Sequence, residues 1–68
     1  MLFFIPHASK RLQERNISIT DCKYCLYSGL YYLQSNGRLR IADKKIVIIA
    51  EKNMAIFKII TAWRIVCG

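Results

Sequence analysis

Acidic residues are few in this chain. Of 68 residues, four are acidic, eleven are basic and one is histidine. Long apolar runs are missing as well. The longest, residues 1–5 and 46–50, are strand-sized, against roughly 18–20 residues for a membrane-crossing helix. The first run stops at Pro6, lacks a basic leading segment and is too short for a secretory core. The chain therefore reads as cytoplasmic, with no membrane partner. Metal ligands are scarce. Cys22 and Cys25 form a lone C-x-x-C, and zinc would need two further ligands where only His7 and Cys67 remain. An odd number of cysteines with no export signal reads as free thiols. Cys22 shares a helical face with Ile19 and Leu26, which is a packing position. Neither a metal nor a cofactor is expected. No repeat, low-complexity segment or linker interrupts residues 1–68, which read as one domain.

The apolar fraction, 54%, argues against disorder. A domain this short has a small core and often leans on a partner or an oligomer. Its net charge of +7 and pI near 9.7 point to a polyanion. Nucleic acid comes first and an anionic membrane surface second. An acidic protein partner satisfies the same charge.

The hydrophobic pattern predicts an α+β domain. Residues 2–5 can form a short edge strand. Pro6 suits the first position of a helix running over about 6–15, which Asn16 terminates. Ser18 is a good N-cap, with Asp21 in the first turn, for a second helix over about 19–28 closed by Gly29. From Leu30 the period becomes two. Asn36-Gly37 predicts a two-residue type I′ hairpin in which Tyr32 opposes Ile41 and Gln34 opposes Leu39. Tyr31, Leu33, Ser35, Arg38 and Arg40 then share the other face, a composition that suits a nucleic-acid backbone.

Asp43-Lys44 makes the next turn, and residues 45–50 read as a central strand. Glu51-Lys52-Asn53 reads as the last link. In the final strand, Ala55, Phe57, Ile59, Thr61 and Trp63 should meet the helices. Ile56, Lys58, Ile60, Ala62 and Arg64 should lie on the open face, unless a bulge inverts the alternation. The expected architecture is two N-terminal helices on one face of a four-stranded antiparallel β-meander.

Residues 7–15 carry the chemistry. At helical spacing His7, Arg11 and Arg15 lie along one face, while Ala8 and Leu12 dock on the core. An imidazole beside guanidiniums is what metal-free phosphodiester chemistry requires: a proton shuttle with fixed positive charge. Arg11, Arg15 and Arg64 can each grip phosphate bidentately. An unperturbed imidazole titrates near pH 6.5, close to working pH. The second proton carrier stays open between Lys45, Tyr31 and Tyr32. Arg38, Arg40, Lys44, Lys45, Lys58 and Tyr31 are the candidate RNA-binding residues.

The order Pro6-His7-Ala8, Arg11-Leu12, Glu14-Arg15, Ile17-Ser18, then a helix, a glycine and a sheet closing on Ile59-Ile60-Thr61-Ala62-Trp63-Arg64 is distinctive. It resembles a family of short bacterial domains of unknown function that open with a His-Ala-x-x-Arg-x-x-x-Arg helix. That family is grouped with RelE-like and BrnT-like toxins in the barnase–EndoU–colicin–RelE fold. The resemblance implies a RelE-like domain and a metal-independent ribonuclease, the toxin of a toxin–antitoxin pair. It also implies RNA as substrate, in some cases on the ribosome, and a cognate acidic antitoxin as partner. Its motif positions fall on His7, Arg11, Arg15 and Thr61, with Trp63 as the following aromatic. The alternatives are a non-catalytic RNA- or ribosome-binding module and a protein-interaction domain.

Overall fold

A computed structural model describes residues 2–65. The order along the chain is β1 (Leu2–Phe4), α1 (Pro6–Glu14), α2 (Ile19–Ser28), β2 (Leu30–Leu33), β3 (Leu39–Ala42), β4 (Ile46–Asn53) and β5 (Ile56–Arg64). The strands form one five-stranded sheet in the order β1-β5-β4-β3-β2. This corrects the four-stranded antiparallel meander. β2 to β5 do pair as antiparallel neighbours, but β1 adds a parallel edge strand, with Leu2 opposite Phe57 and Phe4 opposite Ile59. That pairing joins the two ends of the chain, and no local signal encodes it.

Both helices lie on one face. Pro6 sits at the start of α1, and Ala8 and Leu12 bury its inner side. At its end Asn16 adopts φ 56°, the Ile17 N–H donates to the Leu12 carbonyl at 2.9 Å, and the Asn16 N–H donates to Gln13 at 3.2 Å. This paired 6→1 and 5→2 closure satisfies carbonyls that the helix end leaves open, and Ile17 and Leu12 are both buried there. α2 opens on a reciprocal cap: Ser18 Oγ accepts from the Asp21 N–H, and Asp21 accepts from the Ser18 N–H. It buries Cys22 and Cys25 and packs Leu26 against the core, whereas Ile19 is exposed, so of the expected Ile19–Cys22–Leu26 stripe only Ile19 turns outward and Cys25 joins the other two. Gly29 closes α2 with extended backbone rather than a left-handed cap. A Cβ there would lie 2.5 Å from the Cys25 carbonyl and 2.9 Å from that of Ala42, so close approach of backbones selects glycine.

Two register changes redistribute the side chains. The first hairpin turns over three residues, 35–37. The Gly37 N–H donates to the Gln34 carbonyl, Gly37 has φ 85°, and Leu33 pairs with Leu39. A turn followed by a left-handed glycine is the three-residue alternative to a two-residue loop. It moves the register by one, so Tyr31 opposes Ile41 and Tyr32 opposes Arg40. In β5 the register with β4 shifts between Ile49 and Ala50, leaving Ile60 as the extra residue. Phe57 and Ile59 face the helices before the bulge, Ala62 and Arg64 after it. Thr61 and Trp63 therefore turn to the outer face, the reverse of the simple alternation. β4 also outruns its expected end: the ladder continues to Asn53, and the turn is Met54-Ala55, with Met54 at φ 57°.

The core under the helices contains Ala8, Leu12, Ile17, Cys22, Cys25, Ile41, Ile46, Ile48, Ala50, Ile59 and Ala62. Val47 is buried on the outer face, where it pairs with Trp63. No helix among the described residues is long and apolar enough to cross a membrane.

Candidate functional site

α1 presents its basic stripe to solvent, and the stripe divides in two. Along the helix, Arg11 Nε in the last turn donates to His7 Nε2 at 3.4 Å, and Arg11 Nη1 pairs with Glu14 at 3.2 Å. All three side chains are exposed. The start of α1 has no side-chain cap. At the other end, Arg15 Nη1 donates to the Ala62 carbonyl at 2.6 Å. Arg64 reaches back from β5, with Nε to the Arg15 carbonyl at 3.1 Å and Nη2 to that of Asn16 at 2.5 Å. These two guanidiniums brace α1 to β5 through main-chain oxygens.

Thr61 is not brought to this stripe. It pairs with Ile49 on the outer face, and the sheet separates it from α1. Lys58 and Arg40 share that outer face, as does Arg38, which lies 3.9 Å from Glu51. Tyr31 is not with them. It faces the helices, its hydroxyl donates to the Leu26 carbonyl, and its ring tilts against Phe57 at 6.4 Å between centroids. Burial raises its phenol above the usual range. The aromatic beside Arg40 is Tyr32, reached only through the three-residue turn. Lys44 and Lys45 occupy the turn between β3 and β4. There Asp43 Oδ1 accepts from the N–H groups of Lys45 at 2.7 Å and Ile46 at 2.9 Å. Of the candidate second proton carriers, Tyr31 is engaged under α2, Tyr32 is on the outer face, and Lys45 is in that turn near Asp21.

A model of one family, described as a domain of unknown function, DUF4258, matches residues 4–64. The chain belongs to this DUF4258 family. The match runs from the end of β1 to the end of β5, so it takes in both ends of the α1 stripe and the brace to Arg64. No curated protein and no solved structure matches the chain.

Clefts also mark the surface formed by the described residues of this DUF4258 domain, and two bear on binding. One, of about 730 Å³, lies where α2 hands over to β2, among Tyr24, Ser28, Leu30, Tyr32, Lys44 and Lys45. The other, of about 700 Å³, is apolar and lies between α2 and β1, lined by Phe4, Leu26, Tyr27, Tyr31 and Phe57. Neither includes His7. The C-x-x-C is part of the core. Burial pushes the thiols of Cys22 up to about 11 and Cys25 up to about 12, and Cys25 Sγ points at the carbonyls of Ile41 and Ile46. Cys67 lies outside the described residues. Among those residues, no group of three or more His, Cys, Asp or Glu side chains is placed to hold a metal.

Proposed function

We propose that this DUF4258 domain is a metal-independent endoribonuclease, the toxin of a bacterial toxin–antitoxin pair. The observation that carries the proposal is the His7–Arg11 contact: an exposed imidazole one helical turn from an exposed guanidinium. Arg11 turns to the RNA phosphate and gives up its bond to His7 Nε2, which then takes the proton of a ribose 2′-OH. The 2′-oxygen attacks the adjacent phosphate, the bond to the 5′-oxygen breaks, and that oxygen takes a proton from water. Arg11 stabilises charge on the phosphate oxygens as it develops. Arg15 and Arg64 hold α1 on β5 and so fix the stripe from which His7 projects. The net charge of +7 suits both RNA and an acidic antitoxin. The resemblance to RelE-like and BrnT-like toxins supports the same reading.

The test is single-turnover cleavage beside equilibrium RNA binding, on free RNA and on ribosomes. His7→Ala is expected to lower the rate by about 10²–10⁴ while binding stays within a few-fold. Arg11→Ala is expected to lose binding and rate together, because it touches phosphate in ground and transition states. Absence of cleavage by the wild type on both substrates overturns the enzyme reading. One observation favours a second reading, a non-catalytic RNA- or ribosome-binding module. Thr61 is on the other side of the sheet, and Arg15 and Arg64 are held by carbonyls, so His7, Arg11, Arg15, Thr61 and Arg64 do not gather around one point.

A further inference from the structure

The cleft between α2 and the β3–β4 turn lies apart from His7 and has a composition of its own. Two tyrosines reach it from different elements: Tyr24 from the exposed side of α2 and Tyr32 from edge strand β2. They are 62% and 53% exposed, so their ring faces are available. Leu30 adds apolar surface. Lys44 and Lys45 carry positive charge there. Asp21 and Asp43 line it too, accepting from the Ser18 N–H and from two N–H groups of the 43–46 turn; such bonds leave a carboxylate's charge in place, so the excess positive charge comes from Arg40 alongside. Tyr32 also stands opposite Arg40 on the outer face, so the cleft opens onto the strip that carries Arg38, Arg40 and Lys58.

We infer that this cleft binds an unpaired base of single-stranded RNA, stacked on Tyr24 and Tyr32, with the neighbouring phosphates on Lys44, Lys45 and Arg40. Aromatic platforms beside basic side chains are how proteins hold single strands without reading sequence, because every base has a π-face. The volume, about 730 Å³, is within the ordinary range for small-ligand sites. A duplex keeps its bases stacked on each other and has none to offer. The inference rests on RNA as the substrate class of the reading above, and not on the chemistry of His7.

The experiment is fluorescence anisotropy with a labelled oligouridylate, a duplex of equal length, and unlabelled uridine monophosphate as competitor. His7→Ala is the background, so that cleavage does not interfere, and each variant is checked by circular dichroism. Single strands are expected to bind at least about tenfold tighter than the duplex. Tyr24→Ala and Tyr32→Ala should each weaken binding by about 5- to 150-fold, the usual value of one stacked base. Tyr32→Phe, which keeps the ring, should restore it. Lys44→Ala with Lys45→Ala should lower the logarithmic salt slope by about two. Equal affinity for duplex and single strand, or wild-type binding by both tyrosine variants, overturns the inference. Full displacement by the mononucleotide at matching concentration overturns a strand as the ligand. Tyrosine-dependent binding without any cleavage by wild-type protein leaves the cleft standing and removes the enzyme. Cleavage with tyrosine-independent binding does the reverse.

Discussion

Arg11 and Arg15 stand one turn apart on α1 and put the same side chain to different use. Arg11, in the last turn, faces solvent and touches His7 and Glu14. At the C-terminal end Arg15 and Arg64 are tied to the carbonyls of Ala62, Arg15 and Asn16. The difference lies in what each side chain can reach. Carbonyls left open past the helix end, and that of Ala62 on β5, lie beside Arg15 and Arg64 and draw them in. Arg11, one turn earlier, reaches the side chains of His7 and Glu14 instead. An arginine in a motif is therefore a free charge or a brace according to the groups within its reach.

The strongest test sets the exposed side chains against the braced ones. His7→Ala is expected to cost 10²–10⁴ in cleavage, with stability changed by no more than about 0.5 kcal/mol. Arg15→Ala should instead cost about 1–2 kcal/mol in urea unfolding, because a charged donor to a part-buried carbonyl is lost. If Arg15→Ala leaves the unfolding midpoint unmoved and abolishes cleavage, the brace is a catalytic group and the contrast collapses.

A second test probes packing away from either end. Gly29→Ala puts a Cβ against two carbonyl oxygens that cannot swing aside, and about 1–3 kcal/mol of stability should be lost. An unchanged midpoint would show that α2 and β3 can part at that corner. The core thiols offer a related measure. With their thiols pushed up to about 11 and 12, Cys22 and Cys25 should resist iodoacetamide at pH 8 in the folded protein and react at once in denaturant. Fast labelling of the native state would mean that α2 lifts readily from the sheet.

Two smaller effects sharpen the distinction between free and tied charge. Glu51 lies 3.9 Å from Arg38 and pairs with Lys58 in the ladder. Glu51→Gln should raise RNA affinity while changing stability by less than about 1 kcal/mol. Unchanged affinity would place RNA elsewhere than on the outer face. At the start of α2, the hydrogen bonds from Ser18 hold the Asp21 carboxyl below its usual value. A depressed folded value means that the stabilisation is fully present above the unfolded pKa of about 3.9. It is lost as pH falls through the lower folded value. Asp21→Asn, which removes the titrating group that accepts the Ser18 N–H, should flatten the acid limb of the stability curve, and an unaltered limb would show that the cap contributes nothing there.

Local chemistry made the helices legible. Pro6, Asn16, Ser18 and Asp21 each act through their own backbone neighbours, so their positions could be read one turn at a time. The α1 stripe was legible for the same reason, and the structure does bring His7 and Arg11 together. The sheet was harder. Asn-Gly signals a hairpin, but whether Ser35 joins the loop depends on how Tyr31 and Ile41 pack under α2. That single residue decided which tyrosine stands beside Arg40. The bulge at Ile60 likewise sent Thr61 to one face and Arg64 to the other.

By itself the sequence determined the helix ends, the free and buried cysteines of α2, the excess positive charge and the spacing of His7 from Arg11. All are properties of neighbouring residues or of composition. Only the tertiary structure decided that β1 pairs with β5, that Arg15 and Arg64 brace rather than protrude, and that Tyr24 and Tyr32 share a cleft with Lys44 and Lys45. Each of these joins residues far apart in the chain. Such pairings are fixed by which apolar faces must be buried together, and by which backbone groups then lie within a side chain's reach.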